Sequence, residues 1–380
     1  MAKIAVLGGG RVGSAIANDL SANHEVTLMD FDRITLDRLS SKNPKLKVCE
    51  TDLANEIRLK GLLEPFDLVV GAVPGFMGYR TLKTVIAAKK NVVDISFFPE
   101  DPFQLQEIAK ENGVIAIVDA GVAPGLDNLI LGFWDSRIHV QRFECLVGGL
   151  PVERKLPFQY KAPFSPIDVI EEYTRPARYM EGGQLITREP LTDIEWVDLP
   201  GVGTLEAFNS DGLRTLLDTC PHIPNMKEKT LRYPGHAELI LNLKRAGFFD
   251  THSISVNGQK VIPMEVSNQI LFDQWLLEEG EEEFTVMRVD IDGEDDHEHH
   301  FIRYDILDRM DNKGVSSMAR TTGYTATAMV RLVLEGKFVE NGIHPLEDVG
   351  RSPGCYETTL LHLRERGIEV HGHAQEPENW

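Results

Sequence analysis

The stretch Lys3-Ile-Ala-Val-Leu-Gly8-Gly9-Gly10-Arg11-Val12-Gly13 decides the fold, because an apolar strand ends there in a glycine turn. Glycines 8, 10 and 13 fit G-x-G-x-x-G, and Ser14-Ala-Ile-Ala-Asn-Asp-Leu20 follows with helical apolar spacing. Gly8 permits the tight turn, Gly10 lets a pyrophosphate approach the backbone, and Gly13 lets helix and strand pack closely. The amides that open the helix, at Arg11 and Val12, then attract the phosphates. Residues 25–30, Glu-Val-Thr-Leu-Met-Asp, supply a second strand ending in Asp30, at the spacing of an acid that hydrogen-bonds the adenosine ribose hydroxyls. A carboxylate there repels a 2′-phosphate, so the expected cofactor is NAD rather than NADP. Arg33 complicates that choice: it either pairs with such a phosphate or belongs to the surface of the next helix. The bland alternative is a glycine turn in a fold that binds no dinucleotide.

Working outward, the first 120 residues alternate apolar strands with helical patterns. Strands are expected at 3–8, 25–30, 46–50, 67–73, 91–95 and 114–119, with helices near 11–22, 32–41, 53–62, 76–90 and 101–112. Repeated units of this length imply an α/β fold with a right-handed, doubly wound parallel sheet. Ligands of such sheets lie beyond the carboxyl ends of the strands, which here carry Asp30, Asp52, Val73-Pro74, Asp94 and Asp119. Asp52 has two readings, a contact to adenine or the cap of a helix beginning at Leu53. After Gly125 the pattern changes to strands near 138–149, 184–198, 225–232 and 251–265, and a hairpin of 284–291 with 300–307. Helices near 165–175, 211–219, 234–247 and 267–279 interrupt them, which suggests an α+β domain with a mostly antiparallel sheet. A long helix from Ser316 to Leu334 and another at 356–366 close the chain.

Composition bounds the function. The chain has 380 residues, room for two domains, and 42% hydrophobic content, enough for real cores. No apolar run is long enough to span a membrane, and the immediate entry into a strand leaves no expected signal peptide. Cysteines 49, 145, 220 and 355 show no C-x-x-C spacing and read as reduced thiols of a cytoplasmic protein. With 39 Lys and Arg against 59 Asp and Glu, the net charge is −20, which disfavours nucleic acid and anionic lipid as partners. The acidic stretch from Asp290 to His300 contains His297, His299 and His300, but its position at a hairpin tip makes solvation the expected reason, so no metal is assigned.

Three polar clusters stand out in the second half. Ser165 precedes Pro166 and, before Tyr173, reads as a helix cap. Glu206 to Leu216 contains Asp211-Gly-Leu-Arg214-Thr215, and Lys229 to Glu238 contains Arg232-Tyr-Pro-Gly-His236. A histidine in the first turn of a helix has its protonated form disfavoured, which suits a neutral base; the alternative is a histidine that only caps its helix.

Through GGGRVG, VVGAVPG, DAGVAPGLDN, GGLP, PFSPIDVIEEYTRPA, EAFNSDGLRTLLDT, KTLRYPGHAE and SMARTTGYTATAM, spread from residue 8 to about 330, the chain resembles the saccharopine dehydrogenase family. Within it, the shorter members that look like L-lysine 6-dehydrogenases are the nearer match. Val73-Pro74-Gly75-Phe76 and Ala123-Pro124-Gly125 depart from the aromatic Pro-Tyr and Asp-Pro-Gly segments typical of saccharopine reductases. The resemblance implies a Rossmann domain at 1–125, a substrate and dimerisation domain at 126–312, a C-terminal helical segment at 313–380 packing back on the Rossmann domain, and a homodimer. It implies NAD-dependent oxidation of a side-chain amine to an imine, which hydrolyses to an aldehyde and ammonia, with lysine at its ε-carbon as the expected substrate. His236 is the expected proton acceptor, with Asp94 and Asp119 as alternatives or structural loop carboxylates. Arg214 and Arg232 are candidate carboxylate anchors or surface ion pairs, and Tyr173 and Thr215 would complete the pocket. The rivals are a saccharopine dehydrogenase acting on a secondary amine and a non-catalytic regulator that senses NADH.

Overall fold

The structure is a computed structural model that describes residues 1–162, 166–278, 280–296 and 298–375. It contains two compact units, one of Met1–Ile138 with Met318–Glu369, the other of His139–Ser317 with the chain from Val370.

The first unit is built on a parallel sheet. Strands β1 (Lys3–Leu7), β2 (Glu25–Asp30), β3 (Lys47–Glu50), β4 (Leu68–Gly71), β5 (Asn91–Asp94) and β6 (Ile115–Ile117) lie in the order 6-5-4-1-2-3, and Gly342–His344 joins beside β6. All pairings in it are parallel, as β-α units demand. Every residue of β4 is buried, as expected of a strand covered by helices on both faces. Helix α1 (Arg11–Leu20) turns Ala15, Ile16, Ala17 and Leu20 inward, and Asp32 and Asn55 cap α2 (Arg33–Lys42) and α3 (Glu56–Leu62). Helix α4 (Gly75–Ala87) starts directly after Pro74.

The chain returns to this unit at Met318 because its last helices fit α1 and the helix Leu126–Asp135. Gly323 of the helix Ser317–Leu334 leaves only 3.3 Å between an added Cβ and Ile16, and Arg366 Nε donates to Asp19 Oδ1 at 2.8 Å. Gly132 and Gly350 bring the helices Leu126–Asp135 and Leu346–Arg351 into backbone contact, since a Cβ on either would stand within 2.2 Å of a carbonyl oxygen. At Val370 the chain leaves again, and His371–Gln375 pairs with the second unit's sheet instead of extending the helical segment.

The second unit is a mixed sheet whose central strand is His139–Pro151, antiparallel to Glu283–Glu294 and parallel to Asn225–Arg232. The hairpin of Glu283–Glu294 with His299–Arg309 matches the alternation of the sequence. Several segments differ from their reading, among them 251–265, which is a short hairpin of Ile254–Val256 with Gln259–Val261 followed by the helix Pro263–Trp275, because Asn257 and Gly258 adopt left-handed backbone. The stretch 184–198 is two strands, Gln184–Arg188 and Glu195–Leu199, because Leu191 and Asp193 adopt left-handed backbone after Pro190. The strand Gly203–Asn209 was not anticipated. The expected helix 211–219 shortens to Leu216–Thr219, since Arg214 at φ +42° cannot start a right-handed helix. One face buries Phe208, Tyr160, Tyr173 and Trp275 in an aromatic core, and a separate cluster holds Leu146, Leu231, Phe284 and Val286.

Candidate functional site

In the first unit the glycine turn has the geometry its sequence demands. Gly8 sits at φ +108°, and a Cβ there would stand 2.3 Å from the Ala72 carbonyl oxygen; one on Gly13 would stand 2.0 Å from that of Gly8. Gly10 caps α1 with no side-chain partner, and nothing lies within 4 Å of where its Cβ would be. The opening amides of α1, at Arg11 and Val12, follow a cap that has no side chain, and the approach past Gly10 is open. Asp30 Oδ2 accepts the Gly9 N–H at 2.6 Å and Oδ1 accepts the Asp32 N–H at 2.9 Å. This arrangement fits a dinucleotide: small residues where a pyrophosphate must approach, amides for its charge, and a fixed carboxylate beside them. The Arg33 side chain pairs with Asp37 at 2.9 Å and lies 3.9 Å from Glu50, all exposed, in keeping with a surface residue of α2. Asp52 does not cap α3; its carboxylate accepts the Ala54 N–H at 2.9 Å, and Asn55 is the cap because α3 starts three residues later than its pattern suggested.

Val73 is buried, and Pro74 caps α4 just beyond the carboxyl end of β4. Asp94 and Asp119 follow β5 and β6 and are both buried. Asp94 Oδ1 accepts the Ser96 N–H at 2.8 Å, and its Oδ2 lies where a Cβ on Gly71 would be, 1.9 Å away. One Asp94 oxygen thus accepts a loop amide, while Asp119 stands at φ +51° in the turn after β6. Two buried hydroxyls just beyond β3 and β5, Thr51 and Ser96, make no hydrogen bond among the described residues. Thr51 went unnoticed in sequence, where a threonine after a strand is unremarked.

In the second unit His236 departs from the expected base. It is 2% exposed, its Nδ1 lies 2.9 Å from the Phe158 carbonyl oxygen, and its Nε2 lies 2.9 Å from the Tyr173 hydroxyl. The carbonyl can only accept, so Nδ1 carries the proton and Nε2 receives the tyrosine's. Burial, with the Arg232 guanidinium adding to it, pushes the imidazole down to about 3. The helix terminus is not the main cause: Glu206 already occupies it, accepting the Gly235 and Ala237 N–H groups at 2.8 and 2.5 Å. His236 is thus held neutral near pH 7, with both ring nitrogens partnered.

Arg232 is likewise committed. Its guanidinium donates to Glu172 at 2.7 Å and to Tyr173 at 3.2 Å, and lies 4.4 Å from the centroid of the Tyr160 ring. Tyr173 is fully buried and, chiefly through burial, its phenol titrates well above its usual value. These residues pack in a box with Phe158 and Trp275, so Tyr173 and Arg232, expected to contact substrate, are buried and already hydrogen-bonded to each other. Arg214 and Thr215 are buried near the start of the short helix, and the Thr215 hydroxyl makes no hydrogen bond among the described residues. Asp211 instead holds Arg178 in a bidentate pair at 2.9 and 3.0 Å. Ser165 and His297 lie outside the described residues; His299 and His300 each pair with a separate carboxylate, Asp292 and Asp295, at 2.9 Å.

Two family models cover nearly the whole chain: the saccharopine dehydrogenase NADP binding domain at residues 4–117 and the saccharopine dehydrogenase C-terminal domain at 121–368. The chain belongs to the saccharopine dehydrogenase family. Among curated members, it is 21% identical to the carboxyaminopropylagmatine dehydrogenase of Synechocystis sp., over 98% of this chain and 97% of that protein. It is 28% identical to the mitochondrial alpha-aminoadipic semialdehyde synthase of Rattus norvegicus over 48% of this chain, and spans 21% of that protein's length. The saccharopine dehydrogenase (NADP⁺, L-glutamate-forming) of Saccharomyces cerevisiae is 23% identical over 70% of this chain and 63% of its own length. The solved apo structure of the yeast L-glutamate-forming saccharopine dehydrogenase superposes with a TM-score of 0.79 at 19% identity, covering 99% of this chain and all of that one, which shows the family's fold. Among the described residues, no helix is long and apolar enough to cross a membrane.

Proposed function

We propose that this chain is a dehydrogenase that oxidises a carbon–nitrogen bond of an amino acid with NAD, and that its first candidate substrate is L-lysine, attacked at the ε-carbon. The observation that carries the cofactor assignment is the Asp30 carboxylate, pinned against the glycine turn by the Gly9 N–H at 2.6 Å. Fixed there, it accepts hydrogen bonds from ribose hydroxyls and opposes a 2′-phosphate. The nicotinamide, when bound, supplies the hydride chemistry. The chain's own residues bind and orient: Gly8, Gly10 and Gly13 clear the way for the pyrophosphate, and the first amides of α1 receive it. Asp94 and Asp119, at the carboxyl edge of the sheet, are the acids available for proton transfer in the first unit. In the second unit Arg214 is the candidate partner of the substrate α-carboxylate, with Thr215 beside it. A cytoplasmic homodimer belongs to the same proposal, in keeping with four cysteines that form no disulfide.

A second reading, oxidation of a secondary amine, is favoured by the end-to-end relative, whose name is that of a carboxyaminopropylagmatine dehydrogenase. Reduced-cofactor formation over lysine, ornithine, saccharopine and carboxyaminopropylagmatine, with NAD and NADP in parallel, separates the two. Turnover of lysine with NAD supports the first. Turnover of secondary amines alone overturns it in favour of the second, and turnover with NADP alone overturns the role given to Asp30.

A further inference from the structure

Within the second unit, the segment Pro151–Lys161 and the turn before the strand Glu283–Glu294 enclose a cavity of about 430 Å³, which no residue proposed above for catalysis lines. Its apolar side is formed by Phe158 and Tyr160. Its polar side carries both signs of charge: Lys155 and Lys161 against Glu153, Glu281 and Glu282. Lys155 Nζ lies 3.1 Å from Glu153 and 3.1 Å from Glu281; Lys161 Nζ lies 3.6 Å from Glu281 and donates to the Leu276 carbonyl at 2.9 Å. An ammonium has three N–H donors, so each lysine keeps one in reserve.

Behind the aromatic wall, Trp275 packs edge-on to Phe158 and Tyr160 with ring centroids 5.6 and 5.4 Å apart. Trp275 is fully buried, yet its indole N–H has no acceptor among the described residues. Buried indole N–H groups ordinarily find one, so this corner of the unit is polar-incomplete as it stands.

We propose that this cavity binds a free α-amino acid as an effector. The ligand carboxylate takes the reserve donors of Lys155 and Lys161, its ammonium meets Glu153 and Glu282, and its side chain lies on Phe158 and Tyr160. A simple anion is opposed by three carboxylates and a simple cation by two lysines; a zwitterion satisfies both. The volume falls in the range of small-molecule sites, which is about 300–1,000 Å³. The wall connects such a ligand to the buried box, because the Phe158 carbonyl fixes the tautomer of His236 and the Tyr160 ring underlies Arg232. The binding does not depend on the dehydrogenase proposal.

The test is calorimetric titration of the full chain with L-norleucine, an amino acid of lysine's length with no side-chain amine, beside hexanoate and pentylamine as its two halves. L-Norleucine is expected to bind at least about tenfold more tightly than either half, and Lys155→Glu to weaken it by about tenfold or more. Lys155 is half-exposed, and Glu282→Gln gives an independent variant on the ammonium side; NAD titration of each variant, expected unchanged, reports that the chain is folded. Unchanged norleucine affinity in both folded variants, or halves that bind as well as the whole, would overturn the proposal. Loss of norleucine binding in variants of a chain that oxidises no amine leaves the effector site standing and removes only the dehydrogenase.

Discussion

The Asp30 carboxylate joins the second strand to the glycine turn by accepting the Gly9 N–H at 2.6 Å. The same carboxylate takes the Asp32 N–H, so its orientation is set from two sides before any ligand arrives. Asp30→Ala is expected to weaken NAD binding by roughly tenfold to a hundredfold, the equivalent of one or two charge-assisted hydrogen bonds. Discrimination against NADP should shrink by at least as much. Parallel titrations with the two dinucleotides check this, and an unaltered NAD:NADP ratio would remove Asp30 from the site.

Gly13 tests the turn itself. A Cβ at that position would stand 2.0 Å from the Gly8 carbonyl oxygen, a backbone atom that cannot rotate away. Gly13→Ala should therefore destabilise the first unit by about 1–3 kcal/mol and displace α1 from the phosphate position. Urea denaturation together with NAD titration would detect both effects. Gly10→Ala is the contrast: its Cβ has open space, so stability should hold while dinucleotide binding falls.

In the second unit the Tyr173 hydroxyl bridges His236 and Arg232. Tyr173→Phe leaves a buried imidazole nitrogen and a guanidinium N–H without that partner, which should cost about 1–3 kcal/mol of stability. Far-ultraviolet circular dichroism of the native variant should stay the same while its denaturation midpoint falls. A midpoint equal to the wild type's would mean that the box is not closed as described.

Acid should destabilise the protein through two histidines. Burial, first of all, holds both His236 and His362 at about 3, far below the ordinary 6.5. Below 6.5 the unfolded chain takes up protons that the folded chain refuses, so stability falls as pH falls and is fully present only above that value. The slope is about 1.4 kcal/mol per pH unit for each histidine. Urea midpoints at pH 7, 6 and 5 measure it, and His362→Gln, which can still partner Thr327, should reduce the slope. A flat profile across that range would contradict the neutral burial of both rings.

Much of the first unit was legible because its residues act locally. Strand, turn and helix follow each other within twenty residues, and the spacings of Gly8, Gly10, Gly13 and Asp30 report backbone clearances that any chain in this conformation must respect. Capping was less readable: Asp52 and Asn55 are equally plausible caps three residues apart, and only the hydrogen bonds distinguish them. The second unit was read less well for the same physical reason. His236, Arg232 and Tyr173 looked like site residues because buried polar clusters and catalytic clusters use the same amino acids. Glu206 and Trp275, which complete the box, are far from them in sequence.

By itself the sequence determined the α/β class, the dinucleotide turn and the acid that closes it, since these depend on periodicity and on the absence of Cβ atoms at fixed positions. Tertiary structure alone decided that His236 is enclosed and that burial holds it neutral, that Arg232 is committed to Glu172 and two tyrosines, and that two lysines face three carboxylates across a cavity. Charge state and availability depend on desolvation and on partners brought from distant parts of the chain, and neither is written in local spacing.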